Sequence, residues 1–491
     1  MNISHLLSLS FKNSPKDFSI SGVKLSSINI NKGDIFICFE EGEQRELALA
    51  EAVKRGVACI ILSGKSTNWE TFQGIPLLQV DNLRRLLTHI AATYYPQNIQ
   101  NIIGITGTYG KTSTVSFIRQ LLTISGKKAG SLGTEGVWIG RDHIPWIPKI
   151  ITTPPAFHLY YLLHFLYSEG LTHFAMEVTS HGLHRYRVDE IPFKVGAFTN
   201  LSHSHLDYHL TMKQYYLSKR RFFSEILQEG SIAIIPHDQE WTEDLLSICR
   251  LRNLKPIIIG QDLRLEKSIL SDQGTEIEIS FFGGRKHLLL PHLSGFQVDN
   301  ALFALGSLVG LGIDFHLLQH ITQYLKSPVG RMELIANFND ASIFVDFAHR
   351  PETFEKILKP LHDSGKKIVL VFGCGGGRYK ERRKELGRIA SAYATKVIIT
   401  DDNARDEDPA AIRKMIKEGC PSALEISCRK TAIKEAIASL QPNNVCIIAG
   451  RGNEDMQVVG KKIIPFNDKE EVVEIIQNLN KRDNNLGYTY D

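Results

Sequence analysis

The sequence predicts an α/β protein of three consecutive domains, with a phosphate-binding parallel sheet in the middle and a doubly wound sheet at the C-terminal end. Three observations carry this. A Gly-Lys-Thr loop (Gly104-Ile-Thr-Gly-Thr-Tyr-Gly-Lys-Thr112) follows the apolar run Ile102–Ile105 and precedes Ser113–Leu122, whose spacing suits a helix packed on a sheet. Apolar runs of strand length alternate with helical segments along most of the chain, the pattern of parallel sheets. The 491 residues exceed what one hydrophobic core organises, so about three domains are expected.

Composition excludes several classes. With 43% hydrophobic and 22% charged residues, the chain is ordinary for a globular protein. A net charge of +4 is small for this length and points to neither nucleic acid nor a membrane surface. The seven cysteines are scattered, odd in number and without C-x-x-C, which argues for a reducing compartment and against a disulfide framework or structural zinc. Met1-Asn-Ile-Ser-His lacks the charge and apolar core of a signal peptide. No apolar run reaches the ~18 residues that span a bilayer. A cytoplasmic protein without membrane insertion, working as a monomer, is expected.

Residues 1–98 read as a small binding domain. Its strands are expected at Gly33–Phe39, Val57–Leu62 and Pro76–Val80, and a helix over Glu46–Lys54. Residues 99–329 hold the phosphate loop and apolar runs that end in polar residues, so Glu177 and His205 are expected on the same strand-end rim as Lys111. Ser327-Pro-Val-Gly330 reads as a linker. Residues 330–491 repeat the organisation, with runs at Ile343–His349, Ile368–Gly377, Val397–Arg405 and Val445–Glu454. The polar tail from about Lys481 reads as disordered.

The loop's chemistry follows from its residue types. Successive backbone N–H groups and a helix N-terminus face an anion, Lys111 adds a charge, and the Thr112 hydroxyl can hold Mg²⁺. Gly373-Cys-Gly-Gly-Gly-Arg378 departs from a dinucleotide fingerprint because Arg378 stands where glycine is needed. His203, His205 and His209 are open to a zinc cluster or to a Mg²⁺-linked role for one of them. Glu177 reads either as a satisfied buried acid or as a hard-cation ligand. Lys219, taken alone, reads as a solvated surface lysine. Arg405, after the Asp401-Asp-Asn turn, is either a surface arginine or a planar fork for a free carboxylate.

Several strings then occur in the order of one family. They are Gly107-Thr-Tyr-Gly-Lys-Thr112, Thr152-Thr-Pro154, Glu177-Val-Thr-Ser-His-Gly-Leu183, Thr199–His209, Gly330-Arg-Met-Glu333, Val345-Asp-Phe-Ala-His349, the 401–405 turn and Ala449-Gly-Arg-Gly-Asn-Glu454. From about residue 20 to 480 the chain resembles the Mur ligases, in particular their tripeptide-forming branch. The resemblance implies their three-domain architecture and an ATP-dependent, ADP-forming acid–amino-acid ligase of peptidoglycan precursor synthesis. ATP would phosphorylate the glutamate carboxylate of UDP-MurNAc-L-Ala-D-Glu, and the amine of meso-diaminopimelate would attack the acyl phosphate.

Site residues carry over by position. Gly107, Thr108, Gly110, Lys111, Thr112, Ser113, Asn300, Arg331 and Asp346 match ATP contacts, the last two reaching across from the third domain. Thr112, Glu177, His205 and Lys219 match metal-linked positions, Lys219 as a carbamate (N6-carboxylysine). An ammonium ~4 Å from a divalent ion would be repelled by roughly 8 kcal/mol at an effective dielectric of ~20, and a carbamate reverses the sign. Ser27, Thr152, Thr153, Thr179, Arg185 and Arg187 match contacts to the UDP-muramoyl dipeptide. Arg378, Asp402, Asn403, Arg405, Gly450 and Glu454 match the amino-acid pocket. Ala404 replaces the usual proline of Asp-Asn-Pro-Arg, so a looser turn is expected. Ser26-Ser27-Ile28 replaces Asp-Ser-Arg, and the uridine loop that follows is shortened. The competing functions are a lysine-adding Mur ligase, a folylpolyglutamate-type ligase, and a nucleotide-binding protein without catalysis.

Overall fold

The computed structural model describes residues 2–7, 17–65, 67–145, 151–271, 274–291, 295–377 and 380–486. The chain divides into two compact units. One comprises Met1–Lys111, Leu122–Ile258 and Gly310–Gly312; the other comprises Thr112–Leu121, Ile259–Val309 and Ile313–Asp491. Among the described residues no helix is long and apolar enough to cross a membrane.

The first unit contains two sheets. In the smaller, β1 (Val23–Lys24), β2 (Ile35–Cys38), β3 (Cys59–Ser63), β4 (Asn68–Phe72) and β5 (Ile75–Val80) are ordered β1-β2-β3-β5-β4, with β4 antiparallel to β5. Every residue of β2 is buried, which is why it reads as an unbroken apolar run. The helix Gly42–Lys54 starts four residues before the expected Glu46. A second helix, Leu83–Tyr94, is capped by Asn82, whose side chain accepts from the Arg85 N–H.

The larger sheet is formed by β6 (Asn101–Thr106), β7 (Ala129–Gly133), β8 (Gly136–Ile139), β9 (Asp142–Ile144), β10 (His173–Glu177), β11 (Phe193–Phe198), β12 (Ile232–Pro236) and β13 (Lys255–Ile259). Their order is β13-β12-β11-β6-β10-β7-β8-β9. The pairings among β12, β11, β6, β10 and β7 are parallel, and β8 and β9 close the edge antiparallel. Glu177 pairs with Ile105 and Phe198 with Thr106, so three strands end together and point their loops to one rim. Gly104 inside β6 is explained by crowding: a Cβ there would come within 2.5 Å of the Phe222 ring. Phe222 opens a π-helical turn, Phe222–Ile226, that continues the helix Met212–Arg221.

In the second unit β14 (Leu263–Ser271), β15 (Gly274–Phe281) and β16 (Gly284–Leu290) form an antiparallel meander. The strands β17 (Glu333–Phe338), β18 (Ala341–Asp346), β19 (Lys367–Phe372), β20 (Lys396–Ile399), β21 (Leu424–Glu425) and β22 (Asn444–Ala449) are ordered β17-β18-β22-β19-β20-β21. All these pairings are parallel except that of the edge strand β17. Separate apolar clusters use alternate residues of these strands, Leu370 and Ile447 in one and Val371 and Ile448 in the other, so both faces are covered as a doubly wound sheet requires. A hairpin of β23 (Met456–Val459) and β24 (Lys462–Pro465) follows. The tail expectation needs correction: the last helix, Asp468–Leu486, runs past Lys481, and residues 487–491 lie outside the described residues.

Candidate active site

The phosphate loop is held by its neighbours before any ligand arrives. Gly107 leaves β6 with φ +141°, and a Cβ there would stand 2.0 Å from Thr199 Oγ1, so only glycine fits. Asn200 brackets the loop, accepting from the Tyr109 N–H at 3.0 Å and donating to the Tyr109 carbonyl at 3.1 Å. Thr108 Oγ1 accepts the Ser202 N–H at 3.0 Å and lies 3.2 Å from the Tyr215 hydroxyl. Thr112 and Ser113 follow directly in the helix Lys111–Ile124.

Two lysine side chains meet at one oxygen. Lys111 Nζ donates to the Gly107 carbonyl at 3.0 Å, and Lys219 Nζ donates to the same carbonyl at 2.8 Å. Lys219 is only 1% exposed, so the surface-lysine reading fails; the helix Met212–Arg221 turns it inward. Burial, and then the Lys111 charge, hold its pKa well below the usual lysine value.

Glu177 is buried at the end of β10, where Oε1 accepts the Thr134 N–H at 2.7 Å. Gly133 leaves room for it: a Cβ there would fall 2.2 Å from Oε1. The Glu177 carbonyl accepts from Thr153 Oγ1 at 2.9 Å. Thr179 donates to Thr153 Oγ1 through its N–H at 3.1 Å and its hydroxyl at 3.0 Å, and Arg187 donates to the Thr153 carbonyl at 2.5 Å. Thr152 joins through Thr134, hydroxyl to hydroxyl at 3.2 Å. The Arg187 pKa is pushed down to about 10 by burial and by the like charges of Arg185 and Arg84. Arg185 donates instead to the Tyr208 hydroxyl at 3.3 Å. Ser27 sits in a single 3-10 turn, Ser27–Asn29, with no hydrogen bond to this network among the described residues.

The three grouped histidines have separate surroundings. His203 is exposed. His205 has left-handed backbone (φ 53°), and its ring centroid lies 5.1 Å from that of His181. His209 is buried, with Nε2 3.0 Å from Ser180 Oγ and Nδ1 3.3 Å from Ser218 Oγ. Burial, then His181 and His184, push its pKa down to about 4, so it is neutral near pH 7. Among the described residues no three His, Cys, Asp or Glu side chains form a metal cage. The Glu177 carboxylate and the Thr112 hydroxyl are nevertheless hard oxygen donors that suit Mg²⁺, which takes few protein ligands when phosphates supply the rest. An unmodified Lys219 ammonium does not suit it.

In the second unit Asn300, Arg331 and Asp346 belong to one chain of hydrogen bonds. Asn300 Nδ2 donates to Gln297 Oε1 at 3.1 Å, and Gln297 Nε2 donates to the Arg331 carbonyl at 3.1 Å. The buried Asp346 carboxyl accepts the Met332 and Ala348 N–H groups, each at 2.6 Å. Burial raises its pKa to about 6, against the opposing pull of Arg331 and the two amides.

The 402–405 turn is tied to the 450–454 loop. Asn403 Nδ2 donates to Glu454 Oε2 at 2.7 Å, while Asn403 Oδ1 accepts from Arg451 at 3.2 Å and from the Val458 N–H at 2.8 Å. A Cβ on Gly450 would approach Asp402 Oδ2 to 2.9 Å. Burial and the nearby Asp402 raise the Glu454 pKa. Arg405, at φ +51°, donates to the Gly376 carbonyl at 2.6 Å. Without the proline, the turn gains a hydrogen bond of its own. The Ala404 N–H, which proline would lack, donates to the Asp402 carbonyl at 2.9 Å, and Ala404 is buried. Arg378 lies outside the described residues. Sequence reasoning passed over Thr134, Tyr215 and Arg451; only the last carried a signal, a charge inside Gly450-Arg-Gly452.

A glycine loop on a parallel sheet, a buried acid and buried lysine at its rim, and an acid and an arginine on tied loops of a second α/β sheet define a nucleotide-dependent enzyme of the phosphate-loop class. Residues 105–308 match the Mur ligase middle domain, and residues 330–452 match the Mur ligase glutamate ligase domain. The chain is 35% identical over 461 residues to the UDP-N-acetylmuramoyl-L-alanyl-D-glutamate–2,6-diaminopimelate ligase of Chelativorans sp. (strain BNC1), covering 92% of this chain and 94% of that one. A solved structure of a ligase with that same name superposes with a TM-score of 0.72 at 26% identity, over 98% of this chain and 99% of the other. MurF ligase from Thermotoga maritima in complex with ADP shares the fold, with a TM-score of 0.59 at 18% identity over 94% of this chain and 98% of its own. The chain belongs to the Mur ligase family and is an ATP-dependent, ADP-forming amide ligase.

Proposed function

We propose that this chain joins meso-diaminopimelate to the D-glutamyl carboxylate of UDP-MurNAc-L-Ala-D-Glu in peptidoglycan precursor synthesis. In this reading residues 1–98 bind the UDP-sugar, 99–329 bind ATP and 330–491 bind the incoming amino acid. The loop amides and Lys111 neutralise the phosphates while the γ-phosphoryl group moves to the carboxylate. Thr152, Thr153, Thr179 and Arg187 orient the dipeptide, supported by their shared network with Glu177. Thr112, Glu177, His205 and carbamylated Lys219 would hold Mg²⁺, which when bound offsets charge on the phosphate oxygens. Asn300, Arg331 and Asp346 hold the nucleotide. Asp402, Asn403 and Glu454 take the ammonium end of the amino acid, with Gly450 leaving space and Arg378 nearby in sequence to the glycine turn.

One observation carries the choice of amine: an arginine fork, Arg405, and an acid, Glu454, stand on the same tied pair of loops. Meso-diaminopimelate has a carboxylate for the first and an ammonium for the second. Lysine would leave the fork unpaired, a difference that can reach powers of ten in rate. The test is a matrix of acyl acceptors and amines assayed for ADP. ADP release is expected to need the UDP-linked dipeptide and to be faster by powers of ten with meso-diaminopimelate than with L-lysine, and faster turnover with L-lysine would overturn the assignment.

A further inference from the structure

The turn Gly375-Gly-Gly377 has no side chains, yet it supplies the carbonyl against which Arg405 is set. Glycine turns do not hold one shape unaided. This one is held by a pair of charged side chains. Arg383 lies in the first turn of the helix Glu381–Tyr393, and its side chain is 1% exposed. Its two terminal nitrogens donate to Glu407 as a bidentate fork, NH1 to Oε2 at 2.9 Å and NH2 to Oε1 at 3.0 Å. NH2 also reaches the Gly375 carbonyl at 3.3 Å, and Glu407 Oε1 accepts the Gly377 N–H at 2.6 Å. Between them the Gly376 N–H donates to the Asn403 carbonyl at 2.9 Å, and a Cβ on Gly376 would stand 1.9 Å from the Ala404 carbonyl. The glycine turn and the Arg405 turn are thus pressed together, and Glu407 belongs to both. Its hydrogen bonds from Arg383 and from the Gly377 N–H hold the Glu407 carboxyl down to about 2, so it is ionised at any working pH.

We propose, on the reading of Arg405 given above, that Arg383 and Glu407 are positioning residues of the amino-acid pocket. They set the Gly376 carbonyl, and through it the aim of the Arg405 fork, so they favour an amine that carries a distal carboxylate over one that lacks it. Neither touches the reacting atoms. A planar fork grips a carboxylate through two parallel bonds only over a narrow range of angles, so a small rotation of Arg405 is felt by diaminopimelate and not by lysine.

The test uses the full chain and steady-state kinetics with both amines. In Glu407→Gln the KM for meso-diaminopimelate is expected to rise about tenfold or more, with kcat and the KM values for ATP and dipeptide within about twofold. Turnover of L-lysine is expected to stay as it was, so the preference between the two amines falls by the same factor. Glu407→Asp, which keeps the charge and shortens the reach, is expected to fall between. An unchanged KM for diaminopimelate, or an equal loss with both amines, would overturn the proposal. If Glu407→Gln does not accumulate as folded protein, Arg383→Lys, which keeps the charge and loses the fork, is judged by the same ratio. A wild-type protein that releases ADP with neither amine would defeat the function itself, and that result is distinct from any outcome in the variants.

Discussion

Lys219 shows how a single residue depends on its surroundings. In the sequence it is a lysine in Lys-Arg-Arg, indistinguishable from its basic neighbours; in the structure it is buried beside a second lysine, Lys111. Lys219→Ala is expected to lower kcat by about a hundredfold or more, and short-chain carboxylates are expected to restore part of it by replacing the lost negative group. Full activity in Lys219→Ala would remove the carbamate from the mechanism. Asp346 makes a pH prediction. Its folded pKa of about 6 lies above the ordinary 3.8, so its contribution to stability is complete below about pH 4 and is lost as the pH rises through 6. The loss amounts to about 3 kcal/mol by pH 7, and Asp346→Asn is expected to flatten the dependence. Urea midpoints of both proteins between pH 4.5 and 7.5 measure it.

At the scale of elements the strands were legible and the details of their ends were not. Every apolar run named in the C-terminal part became a strand, β18, β19, β20 and β22, because buried parallel strands need unbroken apolar sequence. The phosphate loop was legible because glycine and Gly-Lys-Thr are chemical necessities there. The hydrogen bond inside the Ala404 turn was not, since an alanine N–H announces nothing about its acceptor. Nor was the extra winding at Phe222–Ile226, whose Phe222 ring lies against Gly104. Gly133 is a test of how an element's end serves the site. Gly133→Ala would push the Glu177 carboxylate from its place, and a shift of about 1 Å in such a group can cost about a hundredfold in kcat with the fold intact. Unchanged kcat, with an unchanged melting temperature, would show that Glu177 has no fixed task.

For the molecule as a whole, the order of motifs was more informative than any composition value. Composition indicated the class, and the motif series indicated the family because most of its strings follow strand ends, where ligands gather. Seven cysteines are present as thiols, and five of them are buried. The melting temperature is therefore expected to be the same with and without reductant, while saturating ATP raises it by an amount that grows with ligand concentration. A drop on adding reductant would contradict the thiol assignment.

The shared Gly107 carbonyl has one more consequence. Burial, and then a neighbouring cation, drive Lys219 toward its neutral amine, and only a neutral amine can attack dissolved carbon dioxide, forming the carbamate N–C bond and releasing a proton. The positive neighbour thereby favours its own partner's conversion into an anion. Enzyme held in degassed, bicarbonate-free buffer should lose activity slowly and recover it on re-equilibration with air, a dependence on the atmosphere that no other part of the reaction would impose.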